Sequence, residues 1–262
     1  MSRSQSQSTD AQQHVDRSPS LLWTATILIA VSVITLIGNI HWVRQNVVLI
    51  GHDAASYLET SIKYTRFFTG VSLPQLFQAF TFPDYRTPVI YIATQPFLHL
   101  FGIDMDGAQA LNIALLPLVI LATYWLGKRV GGARIGLMAA VMVAFLPMMA
   151  AMARLYYVEM LLTLVTTFSL YALYRSEHFT NRTWSIWWGI SAGVGLLTKW
   201  TFPLYVLLPV IWVLWRSQWI DEQIAWLKQD LGGSRAKRKV VFCHQELHHT
   251  PVEGSGEGGD AP

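Results

Sequence analysis

The chain has 262 residues, of which 52% are hydrophobic and 13% charged, with a mean hydropathy of +0.34. Soluble domains carry about 25% charged residues, so this balance, with 11 Trp, 10 Tyr and 12 Phe, points to a polytopic membrane protein with aromatics at the lipid–water boundaries. A net charge of +3 is too small for a nucleic-acid surface, and the single cysteine, Cys243, excludes an intramolecular disulfide and a cysteine-rich metal site.

Residues 1–20 are polar and lack the apolar core of a cleavable signal. Residues 21–40, "LLWTATILIAVSVITLIGNI", match the roughly 20 residues a spanning helix needs. They read as a retained anchor. Residues 41–107 form a long outer loop with helices of its own. Within it, 53–68 has helical spacing with Leu58, Ile62 and 64–68 on one apolar face, as in a helix lying in the interface. Pro74 opens a second short segment, and Pro88 opens a third that ends at Gly102. That third segment is short for a span and carries Pro96, so it reads as interfacial or re-entrant.

Apolar spans resume at 108–126 and 135–150, separated by the basic turn "KRVGGAR". Another follows at 157–174, then the polar turn "RSEHFTNRT". The stretch 184–215 is too long for one span and is broken by "LLTKWTFP", giving two short spans, 184–198 and 201–215. The expected fold is therefore all-α, with about six spans within 21–216. Residues 217–262 form a polar tail rich in Gly and charge, partly disordered. Its "CHQELHH" holds metal-ligand types without the enclosure a zinc site needs, and "RAKRK" suits anionic inner-leaflet lipid.

The lysines and arginines of the short loops orient the chain with its N-terminus in the cytoplasm. Arg3, Arg17, Lys128, Arg129, Arg134, Arg175, Arg182, Arg216 and the cluster Arg235–Lys239 then lie inside; Arg44, Lys63, Arg66, Arg86, Arg154 and Lys199 lie outside. In that topology Asp53, Arg154, Glu159 and Lys199 share the non-cytoplasmic face. Charged residues at or within spans cost roughly 2.5–3.5 kcal/mol on insertion scales, and tend to be paired or functional. Each also has a plain explanation: Asp53 as a helix cap, Arg154 as a snorkelling anchor or the partner of Glu159, Lys199 as an end-of-helix lysine. His52 equally fits a solvated loop, and Tyr57 an interface tyrosine.

Five short motifs, in order, resemble the N-terminal half of the C-type glycosyltransferases. These are multi-span enzymes that include the family 39 dolichyl-phosphate-mannose protein mannosyltransferases and the aminoarabinose transferases. An acid followed by a tyrosine after the first span is matched by "GHDAASYL", with Asp53 and Tyr57, although Ala54 stands where the family usually has a second acid. The Pro-led apolar helix is matched by "YRTPVIYIATQPFLHLFG", and the basic Gly-containing turn by "GKRVGGAR". The Arg-x4-Asp signature is matched by "ARLYYVEMLL", with Glu159 for the usual Asp, and the last motif by "GVGLLTKW", ending at Lys199.

The resemblance implies transfer of a sugar from a polyprenyl-phosphate-linked donor to a protein, lipid or glycan acceptor on the outer face of the cell's inner or plasma membrane. Departure of the lipid phosphate needs positive charge, which Lys199 and Arg154 would supply. Asp53 is the candidate base for the attacking acceptor. Glu159 would orient that base or the acceptor, or hold a divalent cation where one is used; Tyr57 and His52 would contact substrate. No other cofactor and no nucleic-acid partner is implied. The alternative reading is a truncated, non-catalytic homologue acting as a membrane binding or assembly protein.

Overall fold

A computed structural model describes residues 20–46, 52–68, 72–82, 86–217 and 225–229. The chain divides into two compact units, Met1–Ser217 and Gln218–Pro262. In the second, residues 225–229 are helical; the polar N-terminal tail and almost all of the C-terminal tail, including "CHQELHH" and "RAKRK", lie outside the described residues.

The first unit is helical throughout its described residues. Helix α1, Leu21–Gln45, begins at Ser20, whose side chain accepts a hydrogen bond from the Trp23 amide at 3.3 Å. It runs five residues beyond the expected span. Its 25 residues extend about 38 Å, enough to cross the roughly 30 Å hydrocarbon core of a bilayer. Thr24, Leu28, Val31, Thr35, Asn39 and Val43 fall three or four apart and are buried along one stripe. Leu22, Ile29, Val33 and Ile37 are exposed, as a lipid-facing side requires.

Helix α2 (His52–Tyr64), continued by a 3-10 turn Thr65–Phe67, is followed by α3 (Leu73–Thr81) and α4 (Val89–Phe101). Pro88 sits at the N-cap of α4, just ahead of its first turn, and Gly102 closes the helix with φ 123°. Helix α4 packs on α2 and on α5.

Helix α5, Met105–Phe145, is two limbs joined at Gly132, whose φ of 87° and ψ of 172° are non-helical. The limbs fold back on each other. A Cβ on Gly136 would come within 2.6 Å of both the Lys128 nitrogen and the Tyr124 carbonyl oxygen, so backbones meet there directly. The turn read in "KRVGGAR" is thus a tight helical hairpin. The second limb stops at Phe145, short of the expected residue 150, and Pro147 starts a separate short helix α6, Pro147–Arg154. Helices α7 (Glu159–Arg175), α8 (Arg182–Leu196) and α9 (Phe202–Ser217) complete the unit. Their breaks fall at the polar turn and at "LLTKWT", as the sequence predicts.

Helix α5 is central: α1, α4, α6 and α7 all pack on it, and α8 and α9 pack on α7. Among the described residues two helices, α1 and α5, are long and apolar enough to cross a membrane by length and composition, and α4 and α9 are shorter apolar helices.

Candidate functional site

Three buried polar anchors determine which side chains meet at one end of the bundle. Asn112 on α5 donates through Nδ2 to the carbonyls of Leu155 at 2.6 Å and Tyr157 at 2.9 Å, clamping the connector between α6 and α7. The Tyr156 hydroxyl lies 2.6 Å from both Ser61 Oγ on α2 and Thr94 Oγ1 on α4. Burial pushes its pKa up to about 12, against the smaller opposing effect of those two hydrogen bonds, so it remains a neutral cross-link. Gln95 Nε2 donates to the Ser61 carbonyl at 3.0 Å. Together they hold α2 against α4 and the connector, which places Tyr57, one turn before Ser61, against the rings of Tyr91, Tyr156 and Tyr157 at 6.1–6.3 Å.

A fourth anchor brings in the start of α9. A Cβ on Gly195 would fall 2.4 Å from the Phe202 ring, so only glycine lets α8 end against α9 at this distance. The tight connector carries Lys199 and Trp200. Thr87 Oγ1 donates to the Thr198 carbonyl at 2.5 Å, fixing the connector to the residues that precede α4.

These elements enclose a cavity of about 380 Å³ lined by Tyr57, Arg86, Thr87, Val158, Lys199 and Trp200 among others. Its two cations are both tied to acids. Lys199 Nζ lies 2.6 Å from Glu159 Oε1, the first residue of α7. Among the described residues Glu159 Oε2 has no hydrogen-bond partner, although it is buried. Arg86 stacks its guanidinium 4.3 Å over the Tyr57 ring, donates through Nη1 to Ser56 Oγ at 2.8 Å, and reaches Asp53 Oδ1 with Nη2 at 3.5 Å. Its side chain is 14% exposed, whereas that of Asp53 is 68% exposed. Asp53 thus stands in the first turn of α2, beside the cavity wall, with its carboxylate largely in solvent.

Of the residues singled out from sequence, Tyr57 and Lys199 line this cavity, Glu159 is bonded to Lys199, and Asp53 contacts the lining residue Arg86. His52 begins α2; its side chain lies outside the described residues. Arg154 is elsewhere. Its Nε donates to Asn39 Oδ1 at 2.8 Å, its guanidinium lies 4.9 Å from the Trp42 ring, and it lines a separate cavity of about 300 Å³ with Arg44, Asp104 and Asp106. It ends α6, whereas Glu159 starts α7, and the connector between them turns the two side chains to different neighbours. Arg86 is the residue that sequence reasoning passed over as an ordinary outer-face charge. Its position two residues before the proline that opens α4 was the available signal.

Glu159 offers a divalent cation one oxygen, Oε2, that has no partner among the described residues. Its Oε1 already holds the Lys199 ammonium, which a metal ion would have to displace. Among the described residues no three His, Cys, Asp or Glu side chains converge.

What remains is two fixed cations facing a half-open cavity, flanked by aromatic rings, with one carboxylate within reach of solvent. Such a site can hold an anion and leave a base free to take a proton. No curated protein and no solved structure gives a significant match. A family model described as dolichyl-phosphate-mannose-protein mannosyltransferase matches residues 85–231, which include Arg86, Arg154, Glu159 and Lys199 but begin after Asp53 and Tyr57. More than half of the sequence lies within that match: the chain belongs to the dolichyl-phosphate-mannose-protein mannosyltransferase family, a family of C-type membrane glycosyltransferases.

Proposed function

We propose that this protein transfers a sugar from a polyprenyl-phosphate donor to a hydroxyl or amine acceptor at the cavity walled by Tyr57, Arg86 and Lys199. The observation that carries this reading is the pairing of two cations, Arg86 and Lys199, in one cavity wall. A lipid phosphate leaving the anomeric carbon gains charge as the bond breaks. Preorganised cations at that oxygen lower the barrier, with a single donor typically contributing a factor of 10²–10³, or about 2.7–4 kcal/mol.

In this reading Lys199 and Arg86 bind the donor phosphate. Glu159 holds Lys199 in place, while Ser56 and Tyr57 hold Arg86. Asp53 takes the proton from the acceptor as it attacks the anomeric carbon, and the polyprenyl phosphate leaves from the opposite side. The first turn of α2 is a favourable place for that negative charge. Arg154 serves substrate from its own cavity rather than from this wall, and His52 would stand beside Asp53 at the head of α2. In this reading six apolar runs span the membrane, and the loop charges put the N-terminus in the cytoplasm and this cavity on the outer face.

The test is donor turnover by the full chain in proteoliposomes, with radiolabelled polyprenyl-phosphate mannose and aminoarabinose. Label should leave the lipid with the wild-type chain and stay on it with Lys199→Ala, both proteins being equally inserted. Equal turnover by the two would overturn the assignment. Loss from neither, with correct insertion and both sugars tried across protein, lipid and glycan acceptors, would favour the non-catalytic binding reading.

A further inference from the structure

A second site runs along the middle of α7 and α8 toward their other end. Between α5, α7 and α8 runs a groove of about 340 Å³ whose lining includes Leu118, Trp125, Leu164, Phe168, Trp187 and Ile190. Its wall is almost wholly apolar, with Ser191 the one polar residue among those that line it. Ser191 is already engaged, accepting from Ser169 Oγ at 2.9 Å and donating to the Trp188 carbonyl at 2.9 Å.

At the Trp125 end the groove meets an aromatic ladder. Trp125 stacks on Tyr171 at 6.1 Å, and Tyr171 meets the edge of Trp184 at 5.3 Å. Three cations rest on this ladder and its neighbours. Arg175 lies 4.7 Å over Trp184, Arg129 lies 5.5 Å over Tyr174, and Lys128 lies 5.7 Å over Tyr124. Among the described residues of this end the one carboxylate is Glu177, which touches Arg129 at 3.5 Å. Ring stacking occupies the faces of the guanidiniums and leaves N–H edges for oxygen acceptors.

We infer that this groove and its cationic rim form a site for an anionic glycerophospholipid, with one acyl chain along the groove and the phosphate against Arg175 and Arg129. Charge selects the occupant: three cations against one carboxylate favour a headgroup with net negative charge over a zwitterionic one. Position separates it from the donor. Glu159 and Arg175 are the two ends of a 17-residue helix, about 24 Å apart, so a phosphate held at Lys199 cannot also lie on this rim.

The experiment is native mass spectrometry of the full chain released from nanodiscs of equal dioleoylphosphatidylglycerol and dioleoylphosphatidylcholine. Wild type should retain the glycerol lipid about tenfold over the choline lipid. The preference should vanish in Arg129→Gln/Arg175→Gln. Should that variant fail to fold, Ile190→Trp fills the groove without touching a charge and should reduce retention to a similar extent. Equal retention of the two lipids by wild type would overturn the inference, and so would undiminished retention by a folded variant. One-for-one displacement by polyprenyl phosphate would likewise overturn it, by assigning the groove to the donor's tail.

Discussion

Lys199 Nζ lies 2.6 Å from Glu159 Oε1, joining the connector before α9 to the first residue of α7 across 40 positions of sequence. Both side chains are about one-third exposed or more, at 35% and 40%, so the pair is screened by solvent and contributes on the order of 1 kcal/mol to stability. Its larger effect is positional. Replacing both residues in a Lys199→Met, Glu159→Gln double-mutant cycle is expected to give a coupling of about 1 kcal/mol in thermal unfolding. Turnover should fall 10²–10³-fold in Lys199→Met alone. Separate loss of the two quantities would show that the lysine acts on substrate and not merely on the fold.

Arg86 makes its contacts through three different features: a hydrogen bond to Ser56, an ion pair to Asp53 and a face on Tyr57. An ammonium cannot reproduce that set. Arg86→Ala is expected to raise the donor KM about tenfold, and Arg86→Lys to restore less than half of the loss. Full recovery with lysine would mean that charge alone matters there.

Gly195→Ala tests the close approach of α8 and α9. The added methyl would sit 2.4 Å from the Phe202 ring, and the ring is itself buried. Overpacking of this kind costs about 1–3 kcal/mol. The melting temperature in detergent should drop, and Gly195→Ala/Phe202→Leu should recover part of it. An unchanged melting point for the single variant would show that the connector carrying Lys199 is looser than the structure describes.

Much of this architecture could be read locally. Apolar runs interrupted by Gly and Pro mark α1, the α5 hairpin at Gly132, α7 and the break before α9, because hydropathy and backbone chemistry act within a few residues. Ends were less legible. Helix α1 continues to Gln45 because Asn39 and Val43 are still buried, Asn39 against Arg154 at the end of α6, and the second limb of α5 stops at Phe145 because Pro147 has no amide hydrogen to continue it. The site was half legible. Tyr57 and Lys199 do share a cavity, yet Arg154 is drawn to Asn39 and Trp42 of α1, 115 and 112 positions earlier. Arg86 has its partners on α2, some thirty residues away, so its role emerges only when α2 and α4 pack.

Tyr156 gives a pH signature. It lies in the connector between α6 and α7, outside the spanning segments, and its pKa is raised from 10.0 to about 12. Between those values the native chain keeps a proton that the unfolded chain has lost, so stability falls as pH rises through this window. Stability from this residue is complete below pH 10. In Tyr156→Phe the alkaline decline between pH 10 and 12 should be shallower than in wild type, read by unfolding at each pH. Parallel curves would remove Tyr156 as the cause.

The assignment of Asp53 as the base is the central chemical claim, and Asp53→Asn tests it most directly. The change keeps size and hydrogen-bonding capacity but removes the proton acceptor, at a side chain that is 68% exposed and makes only a 3.5 Å contact with Arg86. Donor turnover and donor binding should be measured together on the full chain in proteoliposomes. The account predicts a fall in turnover of at least about 10²-fold, with donor affinity and protein abundance unchanged. Undiminished turnover in Asp53→Asn would contradict it.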